Sequence, residues 1–241
     1  KNLKSKNFDK IFIFNSSLRF HLIAKMSRIK EIFQYPLLIK DKQHIMETAK
    51  SFLKASINIE NFNDPRIEIN KNRIEEVISK FKINKMNINI LLGIGGSGPT
   101  KRIPAKVFIR LMEKIVETES CRFFLATGKN EDEQKILDEI INSKLGYLCT
   151  SLDNLNIKET LPIIQNCNAA ICNDTSFSHL SAALGVKTIT LMADTPLIYG
   201  SYSSKMYPII PDGETDVNHK TLGKDRINPD KIFKKLVEIL N

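Results

Sequence analysis

The sequence predicts an α/β protein whose larger part is a parallel β-sheet covered by helices on both faces. Two observations lead there. From Asn87 onward, short apolar runs alternate with amphipathic segments of helix length, the signature of repeated strand–helix–strand units. Upstream, the strand-like run Phe8 to Phe14 is followed by stretches with helical apolar spacing, so a smaller strand-and-helix piece precedes the regular part.

In the first piece, Phe8 to Phe14 reads as a strand and Ser17 to Arg28 as a helix. Lys42 to Ala55 is a second helix, with His44, Ile45, Ala49, Phe52 and Leu53 on one side. The polar stretch Asn58 to Asn72 holds the turn signal Asp64-Pro65 and precedes a helix over Arg73 to Phe81, so the expected domains are 1–72 and 73–241. The regular part then offers strands at Ile88 to Ile94, Arg122 to Ala126, Gly146 to Cys149, Ala169 to Cys172 and Thr188 to Met192. Helices are expected between them at Ala105 to Thr118, Glu131 to Asn142, Ile157 to Asn166 and Phe177 to Leu184.

Composition bounds the function. At 241 residues and 42% hydrophobic, with only 10 Gly and 9 Pro, the chain can bury a core and is neither disordered nor collagenous. No apolar run approaches the roughly 18 residues that cross a bilayer. Lys1 to Lys10 is charged and the run Ile11 to Phe14 is too short for a secretory signal, so the expected location is cytoplasmic. Cys121, Cys149, Cys167 and Cys172 form no C-x-x-C pair and sit in apolar stretches, which points to reduced core residues and to no zinc site.

The net charge of +9 is unevenly placed. Residues 1–90 hold 18 Lys+Arg against 9 Asp+Glu, whereas 91–241 hold 18 against 18, so only the first part carries a field that attracts an anionic partner. Biased codon usage that favours lysine gives the same excess without function. The chain has no Trp, little interleaving of aromatic and basic residues and no nucleic-acid motif, which argues against a nucleic-acid partner.

In parallel sheets, ligands bind outside the carboxyl ends of the strands, so the loops there hold the candidate chemistry. The first, Gly93 to Pro104, offers Gly95 and Gly96 for close approach of backbone N–H groups to an anion, Ser97 and Thr100 as hydroxyl donors, and Lys101 or Arg102 as cation. It matches neither a Walker A loop nor G-x-G-x-x-G, and a connection that merely turns the chain has the same composition. The second, Asn173 to His179, opens a helix at Thr175 or Ser176, whose N–H groups face the same rim. Asp174 there is repelled by a diphosphate and suits sugar hydroxyls, while His179, one turn into the helix, reads by default as a core histidine. The third, Ala126 to Glu133, places Glu131, Asp132 and Glu133 in a first helical turn, where the helix dipole accounts for them; one of them also suits ribose hydroxyls. The fourth, Ala193 to Pro196, is a turn at the same rim.

Taken together, these segments resemble glycosyltransferase family nine, the ADP-heptose:lipopolysaccharide heptosyltransferases. The matching pieces are GxGGSxxTKRxP at 93–104, TGxxEDE at 127–133, Leu155 to Leu161, and NDTSxSHLSAALG at 173–185, with Leu180, Ala182, Ala183 and Leu184 expected as the buried side of the last. Upstream, Phe8 to Arg19 resembles the strand and serine-arginine turn of the family's acceptor domain. Ser176 stands where the family usually has Gly, and Ile103 where it often has an aromatic residue.

The resemblance implies a GT-B fold of two Rossmann-like domains with parallel sheets, the first incomplete here, and inverting transfer of a heptose or similar sugar from an ADP-sugar to a lipopolysaccharide core acceptor. It also implies that neither cofactor nor metal is needed. Ser97 and Lys101 would hold the diphosphate with the N–H groups of Thr175 and Ser176. Asp132, or else Glu131, would hold the ribose, Leu155 would border the adenine, Asp174 would bind the transferred sugar and His179 would support that loop. Lys101 and Asp174 are the implied catalytic residues. Arg19 and Arg28 would approach the anionic, lipid-linked acceptor, which would put the chain in a peripheral place at the inner face of the membrane. The Asp proposed as the family's general base is expected before residue 1, which leaves a non-catalytic nucleotide-binding chain as one alternative; the same fold with another nucleotide sugar is a second, because sugar choice depends on few contacts.

Overall fold

The computed structural model describes residues 3–37 and 45–241, and the chain divides into two compact units, 1–63 and 64–241. The segment 64–72 goes with the second unit, where the Ile67 N–H donates to the Ala183 carbonyl at 2.8 Å and the Ser203 hydroxyl donates to the Asp64 carboxylate at 2.7 Å.

In the first unit, β1 (Lys10–Ile13) and β2 (Glu31–Gln34) pair in parallel with α1 (Leu18–Met26) between them in sequence. The register sets Phe12 opposite Phe33, and their rings stack at 4.9 Å. Phe52 of α2 (Ile45–Ile57) meets Phe12, Phe14 and Tyr35 edge-on, so a partly exposed aromatic cluster links β1, β2 and α2, each ring pair contributing roughly 0.5–1.5 kcal/mol beyond burial. His44 and the side chain of Ile45, both expected on the apolar side of the second helix, lie outside the described residues. The strand β2 was not expected: only Ile32 and Phe33 are apolar in Glu31–Gln34, and pairing with β1 rather than local pattern makes it a strand.

The second unit comprises α3 (Lys71–Lys80), β3 (Ile88–Gly93), α4 (Ala105–Val116), β4 (Cys121–Ala126), α5 (Glu131–Ile141), β5 (Cys149–Ser151), α6 (Ile157–Gln165), β6 (Ala169–Asn173), α7 (Ser176–Ala183), β7 (Lys187–Leu191), β8 (Met206–Ile209) and α8 (Pro229–Leu240). Its six strands are all parallel, in the order β5-β4-β3-β6-β7-β8. Alternate residues of the central strands enter two cores. Ile90, Leu92, Phe123, Leu125 and Ile171 pack with Phe108 and Leu111 of α4, Leu137 of α5 and Leu236 of α8. Leu91, Phe124, Ala170 and Cys172 pack on the other face with Val77 of α3 and with Ile163 and Ile164 of α6. A strand buried on both faces has no polar stripe, which is why these segments are near-continuous apolar runs.

Two local expectations are corrected. The strand expected over Gly146 to Cys149 begins at Cys149, because Gly146–Leu148 forms a 3-10 turn in which Gly146 lies so close to the Ile141 carbonyl that a Cβ would collide with it. The buried side of α7 is Ser178, Ser181 and Ala182 rather than Leu180 and Ala183. The two serines bury without cost in lost hydrogen bonds, since Ser178 Oγ donates to the Thr175 carbonyl at 2.8 Å and Ser181 Oγ to the Phe177 carbonyl at 2.7 Å. All four cysteines are free and three are buried.

Candidate functional site

The strand order reverses between β3 and β6: from β3 the chain moves outward to β4 and β5, then crosses back to β6 and on to β7 and β8. Loops leaving the carboxyl ends of two such strands diverge to opposite faces and open a crevice, the preferred ligand position in this architecture. The loop after β3 and the loop after β6 therefore flank one crevice. Gly93 is opposite Cys172 in the register, and a Cβ on Gly93 would lie 2.6 Å from Cys172 Sγ, so glycine permits the close approach. One residue further, the fully buried Asn173 donates from Nδ2 to the carbonyls of Ile94 (2.9 Å) and Gly95 (3.0 Å), tying the two loops together.

The cation and the carboxylate of these loops meet. Lys101 Nζ donates to Asp174 Oδ2 at 2.7 Å, with Asp174 only 8% exposed. Arg102 turns the other way, to Asp132 Oδ2 (3.0 Å) and Asn130 Oδ1 (3.3 Å). The two neighbouring basic residues, interchangeable on sequence, thus serve different loops. Ser97 is exposed and Thr100 half-buried in the same loop, while Gly95 and Gly96 are buried.

Thr175 is the N-cap of α7 and makes no side-chain capping bond; its Oγ1 is buried and unpartnered. Ser176 is exposed at the first helical position. His179 is half-buried, its Nδ1 2.7 Å from the Tyr202 hydroxyl and its ring stacked on that tyrosine with centroids 5.5 Å apart. Burial holds the imidazole below its usual pKa; the Asp174 carboxylate opposes this and Lys101 adds to it. The histidine is therefore neither a core residue nor free of the site's charges. Burial and Asp64 push the Tyr202 hydroxyl upward.

The three acids at the start of α5 separate into three roles. Glu131 pairs with Lys135 one turn on, both exposed. Asp132 takes Arg102. Glu133, which on sequence needed no more than the helix dipole, reaches back to the first loop and accepts the Gly96 N–H at 2.6 Å. Leu155, beyond β5, is half-buried against the second core. At the fourth loop Asp194 is buried and accepts the Leu222 N–H at 3.0 Å.

Buried polar atoms without partners collect at this rim: Thr127 Oγ1 after β4, Asn173 Oδ1 and Thr175 Oγ1 after β6, and Thr195 Oγ1 after β7. Such atoms are costly unless water or a ligand satisfies them. Asn173, Glu133 and Tyr202 had no individual role on sequence. For Glu133 one signal existed, an Asn followed three residues later by Glu, but that pattern predicts a bond to the N-cap rather than across to another loop. Arg19 and Arg28 lie exposed in the first unit, on α1 and just beyond it. Among the described residues, no three His, Cys, Asp or Glu side chains gather as a metal set, and no helix is long and apolar enough to cross a membrane.

Residues 1–211 match the model of glycosyltransferase family 9 (heptosyltransferase). The chain is 28% identical over 160 residues to lipopolysaccharide heptosyltransferase 1 of Campylobacter coli, covering 63% of this chain and 45% of that protein. It spans less than half the length of the curated relatives it matches. Its fold resembles that of E. coli ADP-heptose lps heptosyltransferase II, with a TM-score of 0.69 at 18% identity over 99% of this chain and 78% of that one. It also resembles E. coli heptosyltransferase WaaC with ADP, with a TM-score of 0.67 at 14% identity over 99% and 75%. The α/β class with parallel sheets, of GT-B type, is the fold these structures share with it. The family model covers most of the sequence, and the chain belongs to glycosyltransferase family 9, the heptosyltransferases.

Proposed function

We propose that the chain binds the donor in an inverting glycosyl transfer, moving a heptose or similar sugar from an ADP-sugar to an anionic, lipid-linked saccharide of the lipopolysaccharide core. The observation that carries this reading is the meeting of Lys101 and Asp174 between the loops after β3 and β6. An ammonium has three N–H donors. One goes to Asp174, which leaves two for the oxygens of a diphosphate lying against the start of α7, where the N–H groups of Thr175 and Ser176 and the helix dipole favour negative charge. Ser97 and Thr100 add hydroxyl donors, and Asp174 turns its remaining oxygen to hydroxyls of the transferred sugar.

The acceptor oxygen attacks the anomeric carbon from the side opposite the nucleotide while a base takes its proton. The bond from that carbon to the diphosphate breaks, and its electron pair stays on the departing phosphate oxygen. Lys101 and the α7 N–H groups act on this growing charge, so they stabilise the transition state more than the bound donor. Lys101 supplies the positive charge at the diphosphate, with no metal or cofactor called on. In this reading Asp132, which pairs with Arg102, holds the ribose hydroxyls, with Glu131 its alternative; Leu155, after β5, borders the adenine, and His179 supports the Asp174 loop. The lysine-rich first unit, with Arg19 and Arg28 exposed, faces the acceptor at the inner face of the membrane. The E. coli heptosyltransferase WaaC structure contains ADP, which supports adenine as the base.

Turnover tests the reading: ADP release from ADP-heptose that depends on a phosphorylated lipid-linked acceptor. Transfer with net inversion is the expected result. Binding of ADP without transfer to any acceptor supports instead a non-catalytic nucleotide-binding chain, and transfer from a different nucleotide sugar would reassign the donor.

A further inference from the structure

Three glycines from two loops close around one carboxylate. Glu133 Oε1 accepts the Gly96 N–H at 2.6 Å. A Cβ on Gly95 would lie 2.6 Å from the same oxygen, and one on Gly128 would lie 2.5 Å from Oε2. Glu133 stands in the first turn of α5, after the Asn130 cap, so its charge also suits the positive end of that helix. On its other side Gly96 is packed under the basic pair: a Cβ there would meet Arg102 Cγ at 3.2 Å and Lys101 Cβ at 3.6 Å. The Glu133 carboxylate thus holds the Gly96 N–H, and Lys101, five residues on in the same loop, holds Asp174.

We infer that Glu133 is a positioning residue for the donor: its carboxylate fills the seat made by Gly95, Gly96 and Gly128 and so fixes the glycine loop in the shape that aims Lys101 at the diphosphate. The inference rests on the donor-binding reading above and refines it. An anion does sit on the glycines, and it is the protein's own. The Gly96 N–H is committed to Glu133, so the diphosphate is held by Lys101, the loop hydroxyls and the α7 N–H groups. A second phosphate-sized anion against Gly96 would be repelled at short range by Glu133, which places the donor on the α7 side of the loop.

Glu133→Ala empties the seat and frees the Gly96 N–H. Glu133→Gln keeps an oxygen of the same reach and removes the charge. Calorimetry with ADP should show Glu133→Ala weaker by about tenfold, as a small displacement of a binding group costs, with Glu133→Gln within about threefold of the parent. In turnover the Ala variant should raise KM for the donor and also lower kcat, because a misaimed Lys101 loses more in the transition state than in the bound donor. Amide hydrogen exchange on the ligand-free proteins should show Gly96 protected in the parent and in Glu133→Gln and unprotected in Glu133→Ala. An Ala variant that binds ADP as well as the parent, or more tightly, overturns the inference, the second result making Glu133 a competitor of the diphosphate. A Gln variant as weak as the Ala variant overturns it as well. A parent chain that binds no ADP defeats the donor-binding reading instead, and the Gly96 exchange still decides whether Glu133 holds the loop.

Discussion

Asn173 donates its side-chain amide to the Gly95 carbonyl at 3.0 Å, so the last residue of β6 holds the loop that leaves β3. The same Nδ2 serves the Ile94 carbonyl at 2.9 Å, and the side chain is wholly buried. Removing it strands two carbonyls and opens a small void. Asn173→Ala should lose about 2–3 kcal/mol of stability by urea unfolding. Asn173→Asp should lose more, because a carboxylate would face two carbonyl oxygens. A loss below about 0.5 kcal/mol for the Ala variant, the range of ordinary surface substitutions, would mean that the bridge does not hold the loops.

The His179 imidazole has a folded-state pKa below 6.5, chiefly through burial. The unfolded chain then binds more protons than the native one between that lowered value and 6.5, so stability rises with pH across this window and falls as the solution is acidified through it. The His179 Cε1 proton should titrate with a midpoint below 6.5. Acidification from pH 7 should destabilise the parent more than His179→Gln. A midpoint at or above 6.5 would show that the ring is not desolvated against Tyr202.

Burial raises the thiols of Cys121 to about 11 and of Cys149 and Cys172 to about 12, and pushes Cys167 higher still. The thiolate is the reactive form, so at pH 8 the native chain should resist a thiol reagent while the urea-unfolded chain titrates all four. Rapid labelling of a native thiol would contradict the packing around β4 to β6.

Reversing charge at Arg19 and Arg28 should raise the KM for an anionic acceptor and leave ADP affinity unchanged, since both residues lie in the first unit. Steady-state kinetics beside calorimetry separates the two. An equal fall in ADP affinity would remove the acceptor role from these arginines.

The strands β3, β4, β6 and β7 and the helices α4 to α7 were legible because burial on both faces writes long apolar runs and helix packing writes a clear period. The sequence expectation ends at Met192 and includes neither β8 nor α8. β8 carries Pro208 inside a short strand, tolerable only because it is the sheet edge. α8 does carry ordinary signals, an Asn228 cap, Pro229 in the first turn and Ile232, Leu236 and Ile239 on one face. At the site, adjacency of the loops around Ser97 and Thr175 follows from strand order, and glycines, cation and helix start were all readable. The pairings were not. Whether Lys101 or Arg102 takes Asp174, and which acid of Glu131, Asp132 and Glu133 faces the glycine loop, depends on side-chain directions set by three strands distant in sequence.

The central claim is that the loops after β3 and β6 jointly hold a diphosphate through Lys101. Calorimetric titration of ADP into the parent and into Lys101→Ala, with circular dichroism to confirm that the variant is folded, tests it most directly. Lys101→Ala should bind at least about tenfold more weakly, the worth of a charged hydrogen bond to phosphate. A folded Lys101→Ala chain that holds ADP as tightly as the parent would contradict it.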